Sequence, residues 1–413
     1  MNSYSHAPNI IVEREILKRK TIAQKPQIDA SLQITIGNNT PIRLPFKSFV
    51  KNLGYLLAFK MFAEANAGLI KDTAGNVITA DRFKMEVTEA AISAAANTLY
   101  GIWIGYTGDF TSLYTQDVLA TMSNSIKETD FSLYRKIPND GMIPDSDVLY
   151  GATSVTLLNT GALKVARTIT VNRTNGIRIN EIGLIGNVGT EKVLLCRDFI
   201  FDVASNRHYI NVPFNELIRI EYVFNIVSGS GFTSRFIGFL NSLFTGASVT
   251  DFLSTTGVNR AVDVNTDTID FMAAATVITH GILVGGGLTT DINTPKMRTT
   301  DYVMINPVIP NNVLTYGAMT LIPLSYVNGR TLIGCYRDFT NESATATVYV
   351  AEDAIYFKDS TLEVGNDITD YFMMNNTSVG TTGYQAVLPG ETLRIKYYYA
   401  FPIGIQEIGT SAV

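Results

Sequence analysis

At 413 residues with a net charge of −5, the chain is long enough for two or three domains and lacks the basic footprint of a nucleic-acid binder. Only 17% of residues are charged, against about 25% in an ordinary soluble protein, while 46% are hydrophobic and 10% aromatic. A chain so short of charge is expected to cover much of its surface with other subunits, because interface cores lose charge and gain aromatics.

In chain order, residues 1–40 read as an N-terminal arm. Ile10, Ile11, Val12, Ile16 and Leu17 are too apolar for a solvated tail, so the arm is expected to dock on a neighbouring subunit, with Ile11 and Ile16 as contact candidates. The mixed-sign run from Glu13 to Lys20 reads as a solvated face, and Leu32–Ile36 alternates like a strand. From Phe46 to Ala67, apolar residues at spacings of three and four predict an amphipathic helix. A second helix is expected over Thr88–Tyr100.

Short β-branched runs follow at 155–158, 169–172, 177–180, 193–196, 209–212 and 218–224, the texture of a sandwich or barrel. Asn175-Gly176 predicts a tight turn between two strands, and Ser228–Gly231 an inter-repeat linker. An aromatic helix at 235–245, an alanine-rich helix near 268–278 and further strands complete the chain. Phe271–Leu288 has neither the length nor the purity of a membrane span and reads as a short helix before a buried strand. In the closing segment Lys396–Phe401, alternation buries Tyr397 and Tyr399 on one face and offers Tyr398 to the other. Tyr398 and Phe401 are candidates for a subunit interface, although outward rings would equally cap the edge of the core.

The chain also repeats itself. Glu216-Leu-Ile-Arg-Ile-Glu-Tyr222 returns as Glu391-Thr-Leu-Arg-Ile-Lys-Tyr397. In the same order, Phe46/Phe49/Val50/Leu53 is echoed by Phe236/Phe239/Leu240/Leu243, and Ala94–Ala96 by Ala273–Ala275. Gly101–Gly105 returns as Gly281–Gly285, Thr115-x-Asp117 as Thr299-x-Asp301 and Tyr150-Gly-Ala as Tyr316-Gly-Ala. Arg167-x-Ile-Thr returns as Arg337-x-Phe-Thr, and Ile179–Leu184 as Val350–Ile355. A unit of half the chain means a tandem pair rather than a solenoid. The expected fold is mainly β with helices (α+β): two tandem β-sandwich-like modules, each preceded by amphipathic helices. The boundaries are 1–40 for the arm, 41–228 for the first repeat and 229–413 for the diverged second.

Catalytic signatures are sparse. The three histidines, His6, His208 and His280, are scattered, and zinc, redox and nucleotide-binding motifs do not occur, so no cofactor, metal or catalytic residue is assigned and no enzymatic role is expected. Gly285–Gly287 lacks the lysine of a phosphate cradle and reads as a turn. The two cysteines, Cys196 and Cys335, sit at non-equivalent repeat positions, as expected of folding in a reducing compartment. In Arg197-Asp198 and Arg337-Asp338, adjacent residues of a strand face opposite ways, so neither pair is preorganised for joint acid–base work. Glu181, flanked by Ile179 and Ile182, needs a hydrogen-bonded site inside the domain or an arginine such as Arg219. Glu352 and Arg394 are the same residue types in the second repeat, which favours structural pairing over a site.

Asn180-Glu-Ile-Gly-Leu184 resembles an element of tailed-bacteriophage virion structural proteins. There it follows a strand like Arg167–Asn172 and precedes segments like Leu195-Cys-Arg197 and Val212–Tyr222. Gly101–Gly105 with the following Thr-x-Asp117 is similar to that family's opening. The resemblance covers most of the first repeat. The second departs from it, with Asp353-Ala354-Ile355 in place of Ile-Gly-Leu. It implies a virion part, not which part. The expected role is a non-enzymatic virion component, made and folded in the host cytoplasm and assembling through its apolar surface as a ring or collar of the neck or tail. The partners expected are copies of itself and other virion proteins, with no nucleic acid and no membrane span. A fibre or fibre adaptor, or a carbohydrate-binding surface module, is the alternative.

Overall fold

The structure, a computed structural model, describes residues 14–15, 19–24, 28–46, 49–62, 70–78, 85–89, 100–106, 125–126, 132–133, 136–137, 143, 145–158, 162–200, 209–226, 234–265, 268–285, 314–327, 330–363, 366–378, 384–402 and 406–407. Strands dominate the described residues, which contain two α-helices, so the protein is mainly β.

We number the principal elements in chain order. The N-terminal half contains β1 (Arg19–Gln24), β2 (Ile28–Ile36), β3 (Ile42–Phe46), α1 (Lys51–Phe62), β4 (Gly101–Gly105), β5 (Val148–Leu158) and β6 (Ala162–Val171). It continues with β7 (Ile177–Ile179), β8 (Glu181–Val188), β9 (Glu191–Phe199), β10 (Ile210–Val212) and β11 (Leu217–Ile226). The C-terminal half contains α2 (Ser234–Thr245), β12 (Thr268–Asp270), β13 (Gly281–Gly285), β14 (Leu314–Tyr316), β15 (Thr320–Val327) and β16 (Arg330–Asn341). It ends with β17 (Val348–Val350), β18 (Glu352–Glu363), β19 (Asn366–Ser378), β20 (Gln385–Val387) and β21 (Thr392–Pro402).

In the first half one sheet runs β5-β6-β11-β2-β3, and a second contains β4-β8-β9. In the second half β1-β21-β16-β14 forms one sheet, with β15 also on β16, and β13-β18-β19 lie in the other, where β12 also pairs with β18. The registers match. Glu181 stands opposite Gly105 and Ile185 opposite Gly101, as Glu352 stands opposite Gly285 and Tyr356 opposite Gly281. Each long hairpin is bulged at the same place, after Leu184 and after Ile355. Alternation then puts Leu32, Ile34, Val165, Ile169, Ile218, Ile220 and Tyr222 in the core of one half, and Leu393, Ile395, Tyr397 and Tyr399 in the core of the other.

The helices lock the halves together. Helix α1 is buried along most of its circumference (Leu53, Leu56, Leu57, Ala58, Met61, Phe62) because it lies between β9 of its own half and β15 and β16 of the other. Reciprocally, α2 contacts β19 of its own half and β5 and β6 of the first. Rings interlock across the junction, Phe224 with Phe244 at 5.4 Å and Phe62 with Phe271 at 5.8 Å between centroids, in edge-to-face geometry.

Several sequence expectations need correction. The first helix begins at Lys51, not Phe46. Phe46 ends β3, Phe49 bridges Cys196, and Val50 N–H donates to Leu195 O at 3.1 Å, so these residues pair with strands instead of opening the helix. Glu89 is likewise extended, bridging Thr153, which moves any helix start beyond Thr88; residues 90–99, including Ala94–Ala96, lie outside the described residues. The alanine-rich segment 268–278 is β12 followed by turns. The carbonyls a helix would use internally are directed at Arg337 instead, and Thr276 takes a positive φ of 68°. The turn at Asn175-Gly176 exists, with Gly176 N–H donating to Arg173 O. It is a corner rather than a hairpin, since β6 pairs with β5 and β11 while β7 pairs with β10.

The arm does not wait for a neighbour over residues 19–36. Strand β2 runs antiparallel to β11, and β1 runs parallel to β21, so one short stretch extends a sheet in each half. Ile11, Ile16, the linker 228–231 and Gly286-Gly287 lie outside the described residues. No helix among the described residues is long and apolar enough to cross a membrane.

Candidate functional site

The polar chemistry of this protein is concentrated between its sheets, around two arginines at corresponding positions. Arg167 on β6 is 1% exposed and Arg337 on β16 is 0% exposed. Such a charge survives burial only if each N–H finds an acceptor. Arg167 donates Nε–H to Gly151 O at 2.8 Å, Nη1–H to Tyr100 O at 2.6 Å and Ile102 O at 3.4 Å, and Nη2–H to the Glu89 carboxylate at 3.0 Å. Arg337 repeats the first three, to Gly317 O at 2.7 Å, His280 O at 3.4 Å and Ile282 O at 3.0 Å. At the place of Glu89 stands Ala273, and Nη2 turns to the carbonyls of Ala274 at 3.1 Å and Val277 at 2.6 Å.

Each guanidinium also faces a tyrosine ring, Tyr150 at 4.7 Å and Tyr316 at 4.9 Å. Burial lowers the pKa of both arginines, Arg337 to about 10, opposed by Glu89 beside Arg167 and by Tyr316 beside Arg337. Burial raises the Glu89 carboxyl above its usual range although Arg167 pulls it down.

The carboxylates singled out in the sequence are structural, with partners that differ from those expected. Glu181, 0% exposed, accepts from Nε–H of Arg197 and not from Arg219. Arg197 sits opposite Gly183, diagonal to Glu181 on the same face. Arg219 lies on the outer face opposite Thr168, so its fork turns along its own strand to Glu221, at 2.8 and 3.1 Å. At the corresponding place Arg394 stands opposite Asp338 and grips both carboxylate oxygens at 2.7 Å each, with its guanidinium 3.9 Å above the Tyr336 ring. Glu352 is 1% exposed against Gly285, where a Cβ would fall 2.6 Å from its Oε1. Two tyrosines link the layers. Tyr222 O–H donates to Asp198 at 3.3 Å, and Tyr397 O–H donates to Asp353. Adjacent Arg and Asp residues do point apart, as strand alternation requires.

Cys196 and Cys335 are buried free thiols whose pKa values burial raises. Tyr398 is half-buried over Gly334, while Tyr397 and Tyr399 are in the core. Phe401 occupies a strand position opposite Thr331. Among the described residues no three His, Cys, Asp or Glu side chains are grouped to hold a metal ion.

The outer turns differ between the halves. Beside β7 and β10 a cleft of about 370 Å³ is lined by Asn175, Gly176, Ile177, Arg178, Asn211, Val212 and Pro213. Arg178 is fixed there by Asn211 Oδ1 at 3.0 Å and the Tyr209 ring at 4.5 Å. At the corresponding pair β17 and β20, Tyr349 and Tyr384 meet edge to face at 5.2 Å, 55% and 40% exposed. No protein-family model, curated protein or solved structure matches this chain.

Proposed function

We propose that this chain is a non-enzymatic structural component of a tailed-phage virion, assembling through apolar and aromatic interfaces into a ring or collar of the neck or tail. The observation that carries the reading is the use made of its buried polar groups. Glu89, Glu181, Asp198 and Asp353 each accept a bond from an arginine or tyrosine that ties strands or layers together. Architecture accounts for them, whereas an acid–base catalyst must reach a substrate proton.

The segments similar to tailed-phage virion proteins support the same reading. Gly101–Gly105, Arg167–Asn172, Asn180–Leu184 and Val212–Tyr222 belong to sheets cross-linked by Arg167 and Tyr222. The matched registers around Arg167 and Arg337 favour two tandem β-sandwich-like modules, 41–228 and 229–413, derived from one duplicated unit, with 1–40 as the shared arm. The protein is then made and folded in the host cytoplasm and ends in the virion, with copies of itself and other neck or tail proteins as partners.

The mass of the purified chain by light scattering behind a sizing column tests this. A large closed oligomer is expected. A trimer would shift the reading to a fibre or fibre adaptor. The exposed Tyr349 and Tyr384 favour a second reading, a carbohydrate-binding surface module. In that case replacing both would abolish glycan binding and leave the mass unchanged.

A further inference from the structure

The turns that close the two halves correspond residue by residue in backbone bonding. Asn215 N–H donates to Val171 O at 2.6 Å in one, and Gly390 N–H to Asn341 O at 2.8 Å in the other. The side chains they display are opposite in kind. The first-half end is concave, with Arg178 as the one charged residue lining the cleft. Arg178 donates Nε–H to Asn211 Oδ1 and lays the face of its guanidinium on the Tyr209 ring. Phe214, 54% exposed, flanks it. The second-half end carries the Tyr349–Tyr384 pair, Leu388 at 47% exposure, and exposed Glu342, which accepts from Thr315 Oγ1 at 3.3 Å and follows Asn341, whose side chain donates to Val387 O at 2.8 Å. Tyr349 stands where the first half has Arg178, and Ala386 where it has Asn211.

We propose that these two ends bind each other between copies. The Tyr349–Tyr384–Leu388 knob of one copy seats in the Arg178–Asn211 cleft of the next, with Phe214 against the knob and Arg178 facing Glu342. This rests on the ring reading and names its subunit contact. Three features point to a second copy as the occupant. The charges are complementary, a preoriented guanidinium against a carboxylate. Arginine and tyrosine are the residues that dominate interface anchors, and here each is already ordered, which lowers the entropy lost on docking. Finally, a contact between two different patches of the same chain is heterologous, so it propagates from copy to copy and closes into a ring when the rotation allows.

The test uses the full chain in three forms: wild type, Arg178→Glu, and the double variant Tyr349→Ser/Tyr384→Ser. Light scattering across a concentration series gives the masses, and thermal melting checks that each variant folds. Arg178→Ala stands in if Arg178→Glu melts early, and Tyr349→Ser alone if the double variant does. Wild type is expected to assemble, each variant to remain monomeric, and an equimolar mixture of the two variants to give a one-to-one dimer and nothing larger. That dimer is diagnostic, because each variant retains the patch the other has lost. If both folded variants assemble like wild type, this contact is wrong while the ring reading stands. If wild type is monomeric at every concentration, both fall. If the variants are monomeric but their mixture forms no dimer, the pairing of these two ends is overturned.

Discussion

Arg167 and Arg337 occupy corresponding positions and bind three corresponding carbonyls, yet one is answered by a carboxylate and the other by carbonyls alone. In the first half, Glu89 neutralises the guanidinium across the bridge to Thr153. In the second, Ala273 holds the bridging place and the chain unwinds through Ala274–Val277 so that its carbonyls converge on Arg337. A buried cation can thus be satisfied by a single counter-charge or by a ring of dipoles, and the second solution demands an irregular backbone.

Removing the arginines sharpens this contrast most. Arg337→Met leaves the carbonyls of Gly317, His280, Ile282, Ala274 and Val277 without their shared donor, and roughly 3–5 kcal/mol of stability is expected to be lost. Urea titration would register the loss as a lower midpoint, the same at mildly acidic and neutral pH. Arg167→Met is expected to cost about 3–4 kcal/mol at neutral pH because it strands the Glu89 carboxylate. Here the loss shrinks as acid protonates Glu89, and the added change Glu89→Gln recovers part of it. A pH-independent Arg167→Met penalty would break the comparison.

A smaller difference lies beside each hub. Tyr100 O–H reaches Glu86 at 3.2 Å in the first half, and His280 reaches Asp270 at 3.5 Å in the second. Burial pushes the Tyr100 hydroxyl up to about 12, with Glu86 adding to the rise. Burial also raises the Asp270 carboxyl, but bonds from His280 and the Met272 amide outweigh it and hold the group below its usual 3.8. A depressed carboxyl contributes stability above its unfolded pKa and loses it as pH falls through the folded one. Asp270→Asn should therefore lower Tm only slightly at neutral pH, because the Asp270 side chain is 43% exposed and solvent screens the pair, and converge with wild type in strong acid. Equal shifts at both pH values would refute the assignment.

A further difference, in the backbone alone, concerns the closing turns. Gly390 has a φ of 70°, and a Cβ added there would meet nothing within 4 Å, so Gly390→Ala should cost only the left-handed strain, about 1 kcal/mol. Asn215 already holds the corresponding position at φ 63°, and Gly390→Asn should cost less than Gly390→Ala. Denaturant midpoints for the two variants would rank them.

Much of this is legible in the sequence where side-chain alternation sets the outcome. The Glu-x-x-Arg-Ile-x-Tyr copies are the closing strands β11 and β21, and Tyr397 and Tyr399 are buried as the period of two requires. Arg167 and Arg337 stand out as landmarks of the repeat, but not as hubs, because their acceptors are mostly backbone carbonyls, which leave no residue-type signal. Glu181 reads from its neighbours as needing an internal partner, and it has one. The identity of that partner depends on strand register, since Gly183 lies across from Arg197 while Arg219 faces outward. The alanine-rich helix is absent for a related reason. Propensity favours it, and the need of Arg337 for carbonyls overrides it.

The two strands of the arm also set a schedule. Arg19 pairs with Thr392 and Ile28 with Ile226, so β2 joins a partner that is complete by residue 226 and β1 one that is made only from residue 392 onward. At roughly 5–20 residues per second, synthesis separates those events by tens of seconds. Over that interval β1 lacks β21 and keeps only its pairing with Arg14 and Glu15, and its sheet in the second half gains that flank only after β21 has left the ribosome. A chain truncated before Thr392 has no β21 for β1 to join, so this pairing reports that synthesis has passed residue 392.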